Sequence, residues 1–319
     1  MNDHTPATIG VDISKAHLDV HELPSGRSAR FANNAAGFVE LADWIPQGVA
    51  RVVYESTGPW HRDLEEALAE SLPLARVNAL RARRFAQAMG QQAKTDAVDA
   101  RMLAAMGAAV QPRLVEPSSA IQRDLDELQT ARDALAKSRV SVVNRRHIAR
   151  HPLVRRQLRY RLTQIDNQLK AIDAAIRKLV KADEALARKA AVLASIPGVG
   201  AVTAAGLLAE MPELGRLDAK AAASLAGLAP VARESGQWKG RRFIGGGRAR
   251  VRNLLYMAAL SAAQHNPDLA RLHARLRERG KPGKVALTAV MRKLVVLANT
   301  LLKEDREWMP SSPVPVARA

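Results

Sequence analysis

"ATIGVDIS" at residues 7–14, "HLDVHEL" at 17–23 and "SARFANN" at 28–34 decide how this chain is to be read. The first is a short apolar run, the second alternates apolar and polar residues, and the third is a further extended segment. "AAGFVELADWI" follows with helical spacing, so three strands and then a helix are predicted. Working outward, "RVVYES" at 51–56 is a β-rich run that ends at Thr57, Gly58 and Pro59. "WHRDLEEALAESL" then has helical spacing, "LARVN" at 74–78 reads as another strand, and an alanine-rich helix is predicted from Asp96 to about Val110. Strands and helices that alternate in this way predict a mixed α/β sheet covered by helices.

The texture changes at Ile121. Apolar or small residues at 121, 125, 128 and 135 give helical spacing, and Pro152 in "ARHPLV" marks the break. Beyond it Leu158, Leu162, Ile165, Leu169, Ile172, Ile176 and Leu179 follow alternating steps of four and three, the seam of a coiled coil. Two long helices are therefore expected to project between the domains. A heptad seam requires a partner helix without saying whose it is, so a hairpin within the chain and a dimerisation arm both satisfy it. Residues 191 to about 305 read as mostly helical and Gly-punctuated. The expected division is a mixed-sheet domain at 1–115, a helical coiled-coil arm at 116–190, a helical domain at 191–308 and a Pro-rich disordered tail at 309–319.

A chain of 319 residues is long enough for roughly two domains. Its 47% hydrophobic and 25% charged residues are those of a soluble globular protein, and charges such as Arg292 and Lys293 interrupt the apolar runs, so no membrane span is expected. The 0 cysteines exclude a disulfide or Cys-zinc framework, and no secretory pattern opens the chain, which makes the cytoplasm the expected location. A net charge of +18 calls for a polyanionic partner, of which nucleic acid is the first choice. The charge is unevenly spread: residues 1–110 hold 11 Lys and Arg against 13 Asp and Glu, so the remainder carries +20. This split predicts an acidic chemical module joined to a basic binding module. No P-loop, H-E-x-x-H or EF-hand loop occurs, which argues against an ATP-driven activity.

Three constellations could carry chemistry. Asp12 closes the first predicted strand, Glu55 closes the fourth, and Asp96 and Asp99 open the late helix at an i, i+3 spacing that shares one face. Four carboxylates gathered there would repel one another unless a cation neutralised them, and all-oxygen ligands suit Mg²⁺ or Mn²⁺. For any one of them alone, a polar strand end or a helix cap is the better account. The second constellation is "RESGQWKGRRFIGGGRARVRNLLYM", residues 233–257, in which Ser235 precedes Lys239, Arg241, Arg242, Arg248, Arg250 and Arg252. That cationic density suits backbone phosphates and would make Ser235 a candidate nucleophile, although a lone Ser-Gly is more commonly a plain turn. In the third, Gly198 and Gly200 of "IPGVG" have the form of a helix-hairpin-helix turn that could hold a phosphate; a packing turn explains it equally. Further on, Lys281, Lys284, Arg292 and Lys293 lie on a basic helical segment that is either a solvated face or a further phosphate contact.

With "GVDISKAHLDV", "YESTGPW", "KTDAVDA", "IPGVG", "ESGQWKG" and "NPDLARLHARLRERGKPGKVALTAVMRKL" in this order, residues 7–305 resemble the DEDD insertion-sequence transposases. These recombinases have a RuvC-like, RNase H-like domain and are related to the Piv-type DNA invertases. The resemblance implies metal ligands at Asp12, Glu55, Asp96 and Asp99, a nucleophilic serine at Ser235, and cutting and rejoining of double-stranded DNA through a phosphoserine. It further implies an oligomer of two or four subunits with composite sites, and a noncoding bridge RNA that pairs with donor and target DNA. An RNA guide would accommodate the +20 of charge without a base-reading motif, because base pairing reads sequence while protein holds backbone. One departure is Gly247-Arg248, which stands where many relatives have Gly-Asn. Rival readings are a Holliday-junction-type endonuclease, which needs the carboxylates but no serine ester, and a non-catalytic nucleic-acid-binding dimer. A sugar-kinase or actin-like ATPase fits "GVDIS" but leaves the basic half unexplained.

Overall fold

The computed structural model describes residues 6–56, 58–91, 96–232, 234, 235, 238–240 and 242–310; within these, the side chains of residues 96–98, 234, 238 and 239 are also undescribed. It divides into two compact units, Met1–Ser119 and Ala120–Ala319.

The first unit is a five-stranded mixed sheet with helices on both faces. Its strands are β1 (Thr8–Ile13), β2 (His17–Leu23), β3 (Ser28–Ala32), β4 (Arg51–Glu55) and β5 (Leu74–Val77), in the order β3-β2-β1-β4-β5. β1, β2 and β3 form an antiparallel meander, and β4 and β5 add on in parallel. The intervening helices are α1 (Ala35–Trp44), α2 (Arg62–Leu68), α3 (Ala79–Ala88) and α4 (Asp96–Val110). Asn34 caps α1 by accepting from the Gly37 amide, and Asn78 caps α3 by accepting from the Leu80 amide.

Alternation along the central strands supplies two layers of core. Ile9, Val11, Val52 and Tyr54 pack with Phe38, Leu41 and Leu64 on one side, while Val53, Ala75 and Val77 meet Leu103 and Met106 of α4 on the other. On that second side α4 lies against the sheet at backbone distance. A Cβ on Gly10 would stand 1.9 Å from the Ala100 carbonyl oxygen and 2.4 Å from the Ala104 nitrogen, and one on Gly107 would strike Thr8 and Val53. Gly107 thus sits beside the start of β1 and Ala100 beside its middle, so α4 runs antiparallel to β1 and begins at the strand's C-terminal end.

In the second unit, α5 (Ala120–Ile148) and α6 (Pro152–Ala182) pack on each other as a helical hairpin, with Pro152 in the first turn of α6. Leu158, Leu162 and Ile165 are buried with Val142 of α5, and Arg132–Asp173 and Arg139–Asp166 bridge the helices at 2.6 Å each. The first half of the α6 seam, Leu158 to Leu169, therefore packs on α5 of the same chain, while Ile172, Ile176 and Leu179 join the core of the second unit.

The remaining helices are α7 (Glu184–Ala194), α8 (Ala201–Glu210), α9 (Ala219–Leu225), α10 (Ala249–His265), α11 (Pro267–Glu278) and α12 (Gly283–Lys303). Between α9 and α10 lie the two-residue strands β6 (Pro230–Val231), β7 (Glu234–Ser235), β8 (Trp238–Lys239) and β9 (Phe243–Ile244). Among the described residues α12 is the one helix long and apolar enough to cross a membrane. Half of it is buried inside the unit, where Val290, Leu294, Val295 and Leu301 pack with α7, α9, α10 and α11. That is the position of a core helix.

Candidate functional site

Two sets of the predicted residues are separated between the two units. In the first unit, Asp12 and Glu55 each follow the last registered pair of β1 and β4, Val11 with Tyr54, and so stand side by side on parallel strands. Alternation puts them on the same face as Gly10 and Val53, the face that α4 covers. Two residues of strand advance about 6.6 Å and four of helix about 6 Å. Stepping from Gly10 to Asp12 therefore matches stepping from Ala100 back to position 96. Asp99 lies on the same stripe of α4 as Leu103 and is half-buried. The fold thus brings Asp12, Glu55 and the first turn of α4 to one edge of the sheet. The Asp96 side chain, with Lys94 and Thr95, lies outside the described residues. Among the described residues, no three His, Cys, Asp or Glu side chains are gathered as a ready-made metal cluster.

Sequence reading missed a third carboxylate on that face. Asp19 of β2 is directly opposite Asp12 in the antiparallel register, and it is held by Arg30, whose Nε donates at 2.8 Å and Nη2 at 3.1 Å. Like charges directly opposite across strands destabilise a sheet, and the Arg30 fork offsets this. The signal was the "D-x-x-x-x-x-x-D" span over a tight connection, visible once the register is known.

On the opposite face, behind Glu55, the Tyr54 hydroxyl donates to Glu65 Oε1. Arg76 Nη1 is 3.4 Å from the same carboxylate and 3.1 Å from His61 Nε2. Burial, and then the Glu65 charge, push the Tyr54 hydroxyl well above its ordinary value. Burial holds the His61 imidazole below the usual histidine value, with Glu65 opposing and Arg76 assisting. The network fixes α2 to β4 and β5 one residue before Glu55.

In the second unit, Ser235 is exposed and pairs with Trp238 across a short antiparallel ribbon, nested inside the pairing of β6 with β9. Arg241 lies outside the described residues, as does the Lys239 side chain; Arg242 is exposed. The arginines that follow are differently employed from what their density implied. Arg248 forks Glu213 with two 2.7 Å bonds and donates a third, also 2.7 Å, to the Glu210 carbonyl. Arg250 bonds Asp133 at 3.1 Å and Thr130 at 3.0 Å, and stands 2.8 Å from Glu210. Arg252 donates to the Gly246 carbonyl at 2.8 Å. Arg248 and Arg250 bolt the base of the ribbon to α5 and the end of α8, and Arg252 ties the start of α10 to the preceding glycine turn. Carboxylates at Asp133, Glu210 and Glu213, sparse in so basic a segment, were the unread signal. Burial raises the Glu210 carboxyl above its ordinary value, Arg250 opposing and Asp126 and Asp133 adding to the rise.

In the turn between α7 and α8, Gly198 has φ +102°, and a Cβ there would stand 2.5 Å from the Ala262 nitrogen of α10. Packing and backbone conformation therefore account for this glycine. Gly200 caps α8 with open space around its Cα. Lys284, Arg292 and Lys293 are exposed on α12.

The profile described as Transposase IS116/IS110/IS902 family matches residues 190–274, and a second transposase profile, of the DEDD type from IS110, matches residues 9–149. The pilin gene-inverting proteins of Moraxella bovis and Moraxella lacunata are each 28% identical over 312 residues, spanning 94% of this chain and 97% of theirs. The insertion element IS116 uncharacterized 44.8 kDa protein of Streptomyces clavuligerus is 31% identical over 163 residues, 49% of this chain and 39% of its own.

Proposed function

The chain belongs to the IS110-type transposases, and from that premise we propose that it is a site-specific recombinase that cuts and rejoins double-stranded DNA through a serine ester. The observation that carries this reading is the start of α4 laid at the ends of β1 and β4, which brings Asp12, Glu55 and the Asp96–Asp99 turn to one sheet edge. Oxygen donors on rigid elements suit a hard divalent cation, so Asp12, Glu55, Asp96 and Asp99 are the residues that would hold Mg²⁺ or Mn²⁺. When bound there, such an ion supplies Lewis-acid neutralisation of charge on a phosphodiester.

The remaining work belongs to the chain. Ser235 Oγ attacks phosphorus and forms the phosphoserine while the deoxyribose oxygen departs with a proton. A deoxyribose hydroxyl of the second strand then attacks the ester, and its proton returns to the serine. One phosphodiester is broken and one formed, so no external energy source is needed. Lys239, Arg241 and Arg242, with Lys284, Arg292 and Lys293, are the proposed phosphate contacts, and the α8 N-terminus at Gly198 and Gly200 a further one. Arg248, Arg250 and Arg252 act as positioning residues for the ribbon, through the bonds described above. Subunits assemble as dimers or tetramers, and a structured bridge RNA supplies target choice.

Recombination of a plasmid carrying the element's ends tests this. Asp12→Asn and Ser235→Ala should each reduce strand exchange by more than about 10³-fold, since residues acting as one unit fail together, while DNA binding is retained. Ser235→Ala that still exchanges strands would refute the ester, and cleavage surviving only in that variant would favour a junction endonuclease. Sequencing RNA that co-purifies with the protein tests the guide: a discrete structured species is expected, and bulk cellular RNA would overturn it.

A further inference from the structure

The end of the α5–α6 hairpin carries a charge pattern that the proposed reaction leaves unused. From Ala134 to Ile165 the chain has no Asp or Glu, but holds Lys137 and eight arginines: 139, 145, 146, 150, 155, 156, 159 and 161. One tenth of the chain thus holds +9 out of a net +18. Every one of these nine side chains is exposed, and among the described residues only Arg139 has a carboxylate partner, Asp166. This is unlike the base of the ribbon, where the arginines are spent on Glu210, Glu213 and Asp133.

A solvated helix face is the ordinary fate of charge, but such a face mixes signs. Here Arg155 and Arg159 are like charges at i, i+4, which destabilises a helix by a few tenths of a kcal/mol. Arg155 and Arg156 also lie near the N-terminus of α6, whose first turn has no acidic residue, where the macrodipole disfavours cations. Among the described residues, no carboxylate pairs with Arg155, Arg156 or Arg159 to offset these costs. Arginine outnumbers lysine eight to one, which favours planar, bidentate recognition of phosphate over simple solubility. Tyr160 is 62% exposed beside Arg161, in a shallow groove shared with Arg145, Leu153 and Gln157.

We propose that the tip of the α5–α6 hairpin is a docking surface for the backbone of double-stranded DNA. The proposal rests on the reading of the chain as a DNA recombinase for its choice of partner. Two helices side by side are about 20 Å across, and duplex DNA presents one phosphate charge per ~1.7 Å of axis. One patch of duplex therefore offers enough phosphates for all the tip arginines, whereas a single strand has half that density. A second copy of the arm would set nine cations against nine, so self-association does not fit.

The test is duplex DNA binding by the full-length chain, followed by fluorescence anisotropy over a range of salt. The variant Arg155→Gln, Arg156→Gln, Arg159→Gln should reduce the log–log salt slope by about 2–3, at ~0.9 per phosphate contact, and weaken binding at least ~30-fold at 0.1 M salt. Gln matches Arg in helix propensity, so the melting temperature should hold or rise as the repulsion is lifted. Lysine at the same three positions should keep most of the affinity. The equally charged control Lys170→Gln, Arg177→Gln, Lys178→Gln should change binding less than about 3-fold. Equal loss in the tip variant and the control, equal loss with lysine and glutamine, or loss confined to duplex RNA would each overturn the proposal. Failure of the recombinase reading is seen separately: a chain that never recombines but whose salt slope falls in the tip variant keeps the DNA surface. Recombination with an unchanged slope removes the surface alone.

Discussion

At Gly10 a missing side chain decides where the carboxylates can be. The backbone there is open to any residue, and the constraint is external: the Ala100 carbonyl oxygen would lie 1.9 Å from a Cβ. Both close atoms belong to helix backbone, which cannot rotate away as a side-chain tip can. Gly10→Ala should therefore lift the start of α4 from the sheet, at about 2–3 kcal/mol, the usual scale of overpacking. Chemical denaturation reads that loss. If Asp99 and Asp12 share a site, the same variant should lose strand exchange beyond what its stability explains, with Ser235 untouched in the other unit. A variant of ordinary stability would mean that α4 does not approach β1 as closely as its glycines require. Asp19 is instructive beside it: its pairing with Arg30 leaves Asp12 next to a neutralised neighbour instead of a bare charge.

Among the elements, the ribbon and its support show what a linear reading can and cannot recover. β1 to β5, α1, α2 and α4 were legible because hydrophobic period is a local property, and the break at Pro152 because proline acts locally too. α3, which has no fully buried residue and packs on the core through the partly buried Ala82 and Phe85, was missed. Positions of Asp12, Glu55 and Asp99 in their elements were legible, whereas Ser235, read in a turn, ends the short strand β7; the fate of Arg248 and Arg250 was not legible either, because Glu213 and Glu210 lie 35 and 40 positions away and only packing joins them. This support has a pH signature. The Glu210 carboxyl is raised by burial, so its contribution to stability is fully present below the ordinary glutamate value and is lost as pH rises through the folded one. Glu210→Gln should raise the melting temperature at pH 7 and leave it unchanged near pH 4, as read by scanning calorimetry at both values. A lower melting temperature at pH 7 would show that the Arg250 pairing outweighs the burial.

Over the whole molecule, charge and core divide at the same place. The 110 residues that hold the carboxylate edge are nearly neutral at −2, and the +20 lies beyond them. A cation-seeking site and a phosphate-seeking surface would compete if interleaved, since each neutralises the other's ligands; separation into modules keeps both fields intact. The cores follow the same division: Ile9, Val52 and Leu41 cluster with residues of the first unit, and Leu207, Val251 and Leu294 with residues of the second. A cavity therefore acts on the neighbours whose packing it removes. Leu294 is fully buried in α12, and Leu294→Ala should cost about 2–5 kcal/mol. Hydrogen exchange should quicken in α8, α10 and α12, whose slowest amides open only with their shared core, while β1, β4 and β5 keep their protection. Equal acceleration in both sets would mean that the two cores unfold as one, and that the division by charge has no counterpart in stability.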